Sequence, residues 1–148
     1  MKEWYGAAGV CVNENNEILM VKQGTPEEEK TWSVPSGGKE NGETFEACCI
    51  REVNEETGYH VNIIRLLFAK KSTSDGYHTE VQYFEVQAYG GEAEIQDPDN
   101  LIYEIGWKSV EDITNLELTY PGDREILIDF IESKKDLEAH HDWERYIK

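Results

Sequence analysis

The chain has 148 residues, enough for one domain (1–148) and too few for a second core of ordinary size. Fourteen Lys and Arg stand against 31 Asp and Glu, a formal charge of −17, which argues against a partner gripped through its phosphates, whether duplex DNA or an anionic membrane. An apolar share of 39% and an aromatic share of 11%, with four Trp and eight Tyr, still supply a folded core.

In chain order, Tyr5–Val12 and Ile18–Val21 flank an Asn15-Asn16 turn signal, so the first 23 residues are expected to form a β-hairpin. Gly24–Lys30 is a polar loop, Trp32–Pro35 a short strand stopped by proline, and Ser36–Glu43 a glycine-rich loop. Thr44–Thr57 is predicted helical and ends at Gly58, a natural residue just past a helix. Two strand-like stretches follow, Val61–Lys70 and Glu80–Tyr89, with turns at Ser72–Tyr77 and Gly90-Gly91. Asp97-Pro98-Asp99-Asn100 marks a loop before Leu101–Trp107, and Ser109–Asp112 resembles the capped start of a short helix. Asp123–Lys134 carries an apolar stripe of Ile126, Leu127, Phe130 and Ile131, which predicts a longer helix. The tail 135–148 is polar and expected to pack loosely, with His140-His141 as a polar end. The order of strands, helix, strands and helix suggests an α+β fold, an α/β/α sandwich around a mixed sheet.

Cys11, Cys48 and Cys49 are too few and too poorly spaced for a disulfide framework. The N-terminus lacks a basic segment followed by a long apolar run, and no apolar run is long enough to span a bilayer. The expectation is a reduced, cytoplasmic protein.

Chemistry concentrates in Gly37–Tyr59. At about 100° per residue, Glu52, Glu55 and Glu56 fall within an arc of roughly 100° on one helix face. They lie in the last turns, where the helix dipole disfavours negative charge. No lysine occurs between Lys39 and Lys70, and Arg51, well placed for Glu55 at i+4, cannot neutralise three carboxylates. A divalent cation would balance them, and oxygen-only ligands suit Mg²⁺ or Mn²⁺. The plain alternative is a solvated acidic helix face with one salt bridge. The loop before the helix, with Gly37, Gly38 and Gly42, either brings further oxygens to the helix or merely turns the chain.

Taken together the 23 residues resemble the Nudix box: Gly37, five residues, Glu43, seven residues, then Arg51-Glu52-Val53, Asn54, Glu55-Glu56, Thr57-Gly58-Tyr59. Tyr59 stands where an aliphatic residue is usual, with Val61 expected to share its core role. Trp32-x-x-Pro35-Ser36-Gly37 resembles the lead-in W-x-x-P-G-G, with Ser36 replacing the first glycine. The resemblance implies a MutT-like pyrophosphohydrolase that cleaves a nucleoside diphosphate linked to another moiety, by water attack on phosphorus with divalent metals. It implies Glu52, Glu55 and Glu56 as metal ligands, Arg51 as the residue that orients a carboxylate, Glu43 in a supporting role, and the Gly37 or Ser36 backbone as a further ligand. The resemblance leaves the general base open between a box glutamate and one from a distant loop, where Glu104 is the candidate with Asp97, Asp99 and Glu80 behind it.

The box says little about the leaving group. Trp4, Tyr5, Trp32, Tyr77 and Tyr83 could stack a base, although such residues are more often simply core. Tyr77 resembles the tyrosine of some diadenosine polyphosphate hydrolases, and Lys22, Lys30, Lys39, Lys70 and Lys71 could meet phosphates, with plain solvated lysines as the alternative. Tyr77 and Lys39 are the chosen substrate-binding candidates. The expected partner is a small nucleotide, a nucleoside triphosphate or modified nucleotide first. Dinucleoside polyphosphates, nucleotide sugars, or a Nudix-fold binding module with little catalysis are the alternatives. Homodimers are common among relatives of this kind.

Overall fold

A computed structural model describes residues 2–96 and 101–146, with side chains through Asp136. The elements run β1 (Lys2–Cys11), β2 (Ile18–Gln23), β3 (Thr31–Ser33), β4 (Ser36–Gly38), α1 (Phe45–Thr57), β5 (Tyr59–Ser74), β6 (Tyr77–Gly91), β7 (Ile102–Lys108), α2 (Val110–Asn115) and α3 (Asp123–Tyr146). The strands form one sheet in the order β4-β1-β6-β5 and a second in the order β3-β2-β7. This is the expected α+β sandwich.

The centre of the larger sheet is β1, which pairs parallel with β6 from Lys2 opposite Tyr77 to Cys11 opposite Val86, and antiparallel with β4. It is buried continuously from Gly6 to Cys11, as befits a strand covered on both faces. On one face Ala7 and Cys11 join Cys48, Cys49 and Val53 of α1. On the other, Ala8 and Val10 join Ile113 of α2 and Leu127 and Ile131 of α3. Sequence-adjacent residues thus feed two cores, because side chains alternate across a strand.

Several local expectations change. The N-terminal strands are paired only at a Val12–Ile18 bridge and then part into different sheets, so they are not a hairpin. The local turn is real, with Asn16 at φ 59°, but the long-range pairing of β1 with β6 decides the topology. Ser36–Gly38 is a strand, which shortens the glycine-rich loop. The turn expected within Ser72–Tyr77 falls at Asp75-Gly76, where φ of 51° and 77° gives the mirror-image turn suited to twisted strands. Gly90-Gly91 is not a turn, since both residues pair with the start of β5. The last helix continues past Lys134 to Tyr146. Asp97–Asn100 lies outside the described residues, as do the side chains of His140 and His141. Among the described residues no helix is long and apolar enough to cross a membrane.

Candidate active site

Two features set the position of α1. Thr44 caps its N-terminus by accepting from Ala47 N at 3.0 Å, and Gly58 ends it at φ 84° with its N–H on Asn54 O at 2.8 Å. The last-turn carbonyls are then met by the following chain, with Glu94 N on Thr57 O and Gln96 N on Glu55 O, each at 2.9 Å. Height above the sheet is set by Gly9. A Cβ there would lie 2.6 Å from Val53 Cγ2, so α1 rests against bare backbone.

With the helix so placed, Arg51 gathers the acidic residues. Its Nε and Nη2 donate to the two oxygens of Glu43 at 2.6 and 2.9 Å, and Nη2 also reaches Gly38 O at 2.9 Å. Nη1 donates to Glu52 at 2.7 Å and to Glu55 at 3.3 Å. The i+4 pair read from the sequence is therefore the longest of the hydrogen bonds to the three carboxylates, with Glu40 a more distant ion pair at 3.7 Å. The bidentate partner is Glu43, eight residues back, which helix-surface spacing could not show. Glu43 holds Arg51 and ties the loop to the helix.

The electrostatic consequences differ between the carboxylates. The Arg51 guanidinium holds Glu43 down to about 2. Glu52, at 12% side-chain exposure, is pushed above its ordinary range because burial outweighs the pull of the same guanidinium. Arg51 itself is raised by Glu43 and remains charged. Glu56 is buried at 7% exposure and accepts from Ser36 N at 3.2 Å. Serine in place of the usual glycine therefore leaves the donor in place, since the bond comes from the backbone.

Gly37 is demanded by contact rather than by turn geometry. A Cβ there would fall 2.2–2.5 Å from the carboxylate atoms of Glu52. Its carbonyl oxygen accepts from Cys48 Sγ at 3.6 Å.

The result is an open cleft of about 440 Å³ lined by Gln23, Ser36–Gly38, Glu40, Arg51, Glu52, Glu55, Glu56, Leu101 and Ile102. Among the described residues four carboxylates there face one guanidinium. Among the described residues no three acidic, His or Cys side chains already converge on a point, because Arg51 holds Glu52 and Glu55. The donor set still fits a divalent cation: all oxygen, anionic in excess, partly desolvated, and without His or Cys in the lining.

The other candidates lie elsewhere. Glu104 pairs with Lys22 at 3.6 Å, with more than half of its side chain exposed, and does not line the cleft. Tyr77 opens β6, exposed, with Lys2 Nζ 5.9 Å from its ring. Lys39 is folded back on its own loop, donating to Glu43 O at 2.7 Å. Trp32 and Tyr83 belong to the core, whereas Trp4 is 45% exposed. Tyr59 meets Trp107 edge-on and receives its indole N–H at 3.4 Å, while Val61 is buried in the core beside α1. Gln23, Leu101 and Ile102 carry no sequence signal and reach the cleft through the pairing of β2 with β7.

Comparison with known proteins agrees with this geometry. A family model described as the NUDIX domain matches residues 4–130. The chain is 29% identical over 113 residues to Nudix hydrolase 5 of Arabidopsis thaliana, covering 74% of this chain and 37% of that protein. It is 29% identical over 108 residues to an 8-oxo-(d)GTP phosphatase of Mycolicibacterium smegmatis, covering 73% and 32%. It spans about a third of the length of these curated relatives. A solved NUDIX hydrolase structure from Nitrosomonas europaea superposes with a TM-score of 0.76 at 23% identity, over 90% of this chain and 91% of that one, a likeness of fold.

Proposed function

The chain belongs to the NUDIX family, and on that premise we infer that it hydrolyses a pyrophosphate bond in a nucleoside diphosphate linked to another moiety, a nucleoside triphosphate or modified nucleotide first. The supporting observation is the cleft in which Arg51 holds Glu52 and Glu55 beside the buried Glu56. An acidic wall repels a polyphosphate unless cations intervene, so the site makes chemical sense only with metal.

Glu52, Glu55 and Glu56, with the Gly37 backbone, are the residues that would hold Mg²⁺ or Mn²⁺. A divalent metal there supplies charge neutralisation of the phosphates and activation of water. Arg51 keeps the carboxylates apart and oriented while the cleft is formed. Glu43 fixes the Arg51 fork at two points, which holds the guanidinium in one orientation at the cleft wall. Ser36 N–H orients Glu56, and the bare Cα of Gly37 leaves Glu52 its place. Among the described residues, the acidic side chains lining the cleft are Glu40, Glu52, Glu55 and Glu56, which supports a proton acceptor for the attacking water from this set ahead of Glu104, paired with Lys22 outside it.

A panel of nucleoside triphosphates, dinucleoside polyphosphates and nucleotide sugars, assayed for phosphate and pyrophosphate release with and without Mg²⁺, tests this reading. Metal-dependent release from the triphosphates is expected. Silence across the panel would replace hydrolysis with nucleotide binding alone.

A further inference from the structure

Across the larger sheet from α1, the last helix stands beside an open hollow of about 260 Å³. It shares no lining residue with the acidic cleft, and six of its seven lining side chains are apolar. Val10 and Leu127 are its most buried members, at 1% and 2% exposure. Its outer wall comes from β5, the edge strand. The register of β5 against β6 slips between Leu66 and Phe68, so Leu67 and Phe68 both pack against the core under α3 instead of alternating across the strand.

The helix cannot settle into this gap, because it is tied to the sheet on both sides of it. Asp123 holds Lys70 at 2.6 Å and accepts from Tyr83 OH at 3.0 Å, and Lys134 reaches the buried Glu85. The two ties are separated by about 16 Å of helix, with Ile126 and Phe130 between them. Ile126 stays 40% exposed at the rim.

Charge beside the hollow is one-sided. At about 100° per residue, Glu125, Asp129, Glu132 and Asp136 fall within an arc of roughly 60°, next to the flank of α3 that carries Ile126 and Phe130. All four are exposed, and among the described residues none of them has an ion pair. The cations at the groove are largely matched already: Lys70 by Asp123, and Arg65 and Lys134 together by Glu85.

These features select an occupant. An apolar hollow with an acidic margin fits an apolar side chain carried next to positive charge. The acidic stripe runs about 16 Å, whereas Ile126 to Phe130 is only ~6 Å, so a small cationic molecule would leave most of the stripe unmet. A second copy brings a further −17 and an identical stripe. A basic stretch of polypeptide meets the hollow and the stripe together. We propose that the groove between α3 and β5 docks a basic segment of a partner protein, with one large apolar side chain in the hollow and lysines or arginines along Glu125, Asp129, Glu132 and Asp136. This docking is independent of the hydrolase reading.

The test is fluorescence anisotropy of the full chain with a labelled synthetic peptide carrying a Leu-Trp pair between two runs of lysine. Two matched peptides replace the pair by Ser-Ser or the lysines by glutamates. The first peptide is expected to bind at least about tenfold more tightly than either of the others. Asp129→Lys with Glu132→Lys should weaken it by roughly tenfold or more, whereas Glu14→Lys with Glu27→Lys, an equal charge change on exposed loops, should weaken it by less than about threefold. Ile126→Gln, at a position open enough to keep the fold, should bring the Leu-Trp and Ser-Ser peptides within about twofold of each other. Equal losses in the two charge-reversed proteins would reduce the binding to bulk electrostatics and overturn the proposal. So would a Ser-Ser peptide that binds wild type as well as the first, or no binding at all. A dimer in sedimentation velocity that Ile126→Gln abolishes would give the groove to a second copy instead. Peptide binding by a protein silent toward every nucleotide would leave the groove standing and remove the hydrolase reading; turnover without peptide binding would do the reverse.

Discussion

The carboxylate of Glu52 occupies the space that a side chain on Gly37 would need: a Cβ there would stand 2.2 Å from Glu52 Cδ. The strand β4 and the helix α1 are therefore fitted to each other at a single bare Cα. Gly37→Ala is expected to fold, since β4 keeps its backbone pairing with β1, but to displace Glu52. Loss on the order of 100-fold in metal-dependent turnover is expected for a displacement of about an ångström. Steady-state kinetics against Mg²⁺ concentration measures it, and unaltered Mg²⁺ dependence would refute the fit.

Glu55→Gln and Glu56→Gln keep shape and remove one negative charge each. Turnover is expected to fall by orders of magnitude in both, while thermal melting stays near wild type, because metal capture needs charge and the helix does not. Unchanged kcat in either variant would remove that residue from the metal set.

Arg51→Ala should lose stability as well as activity. Glu43 and Glu52 would keep their partly buried carboxylates without the guanidinium, at a cost on the order of 3 kcal/mol. Denaturant unfolding reads this directly. The pH profile carries the sign. Glu43 is held at about 2 against an ordinary 4.5, so its stabilisation is present above 4.5 and fades as pH falls toward 2. Glu52, raised by burial, works the other way and blunts the acid loss. The Glu43 contribution to acid sensitivity should vanish in Arg51→Ala.

All three cysteines are free and buried. Burial pushes Cys48 up to about 11 and Cys49 up to about 12. The native protein should resist a disulfide-exchange reagent at pH 8 and release three thiols on unfolding. Because the folded values are raised, this contribution to stability is intact below about 9 and is lost as pH rises toward 12. Rapid native labelling of Cys49 would contradict the seating of α1 on β1.

What the sequence made legible was local. Thr44 and Gly58 bound α1 because a hydroxyl cap and a left-handed glycine act within a few residues, and the three glutamates share a face by helical spacing alone. The Ser109–Asp112 capping box is present for the same reason. The parallel pairing of β1 with β6 was not legible, since nothing between Lys2 and Cys11 names a partner some 75 residues on. Arg51 was assigned to Glu55 because helix periodicity sees only the helix, whereas Glu43 approaches from the loop.

That distant pairing has a consequence for the order of assembly. As the chain is made from its N-terminus, β1, β4 and the acidic helix all emerge before β6, which flanks β1 along its whole length. Until Tyr77–Gly91 is available, β1 lacks one of its two neighbouring strands, and Val53, Cys48 and Cys49 lack part of the sheet they rest on. The acidic helix is thus synthesised early and seated late, a nascent chain with its apolar face waiting for a strand.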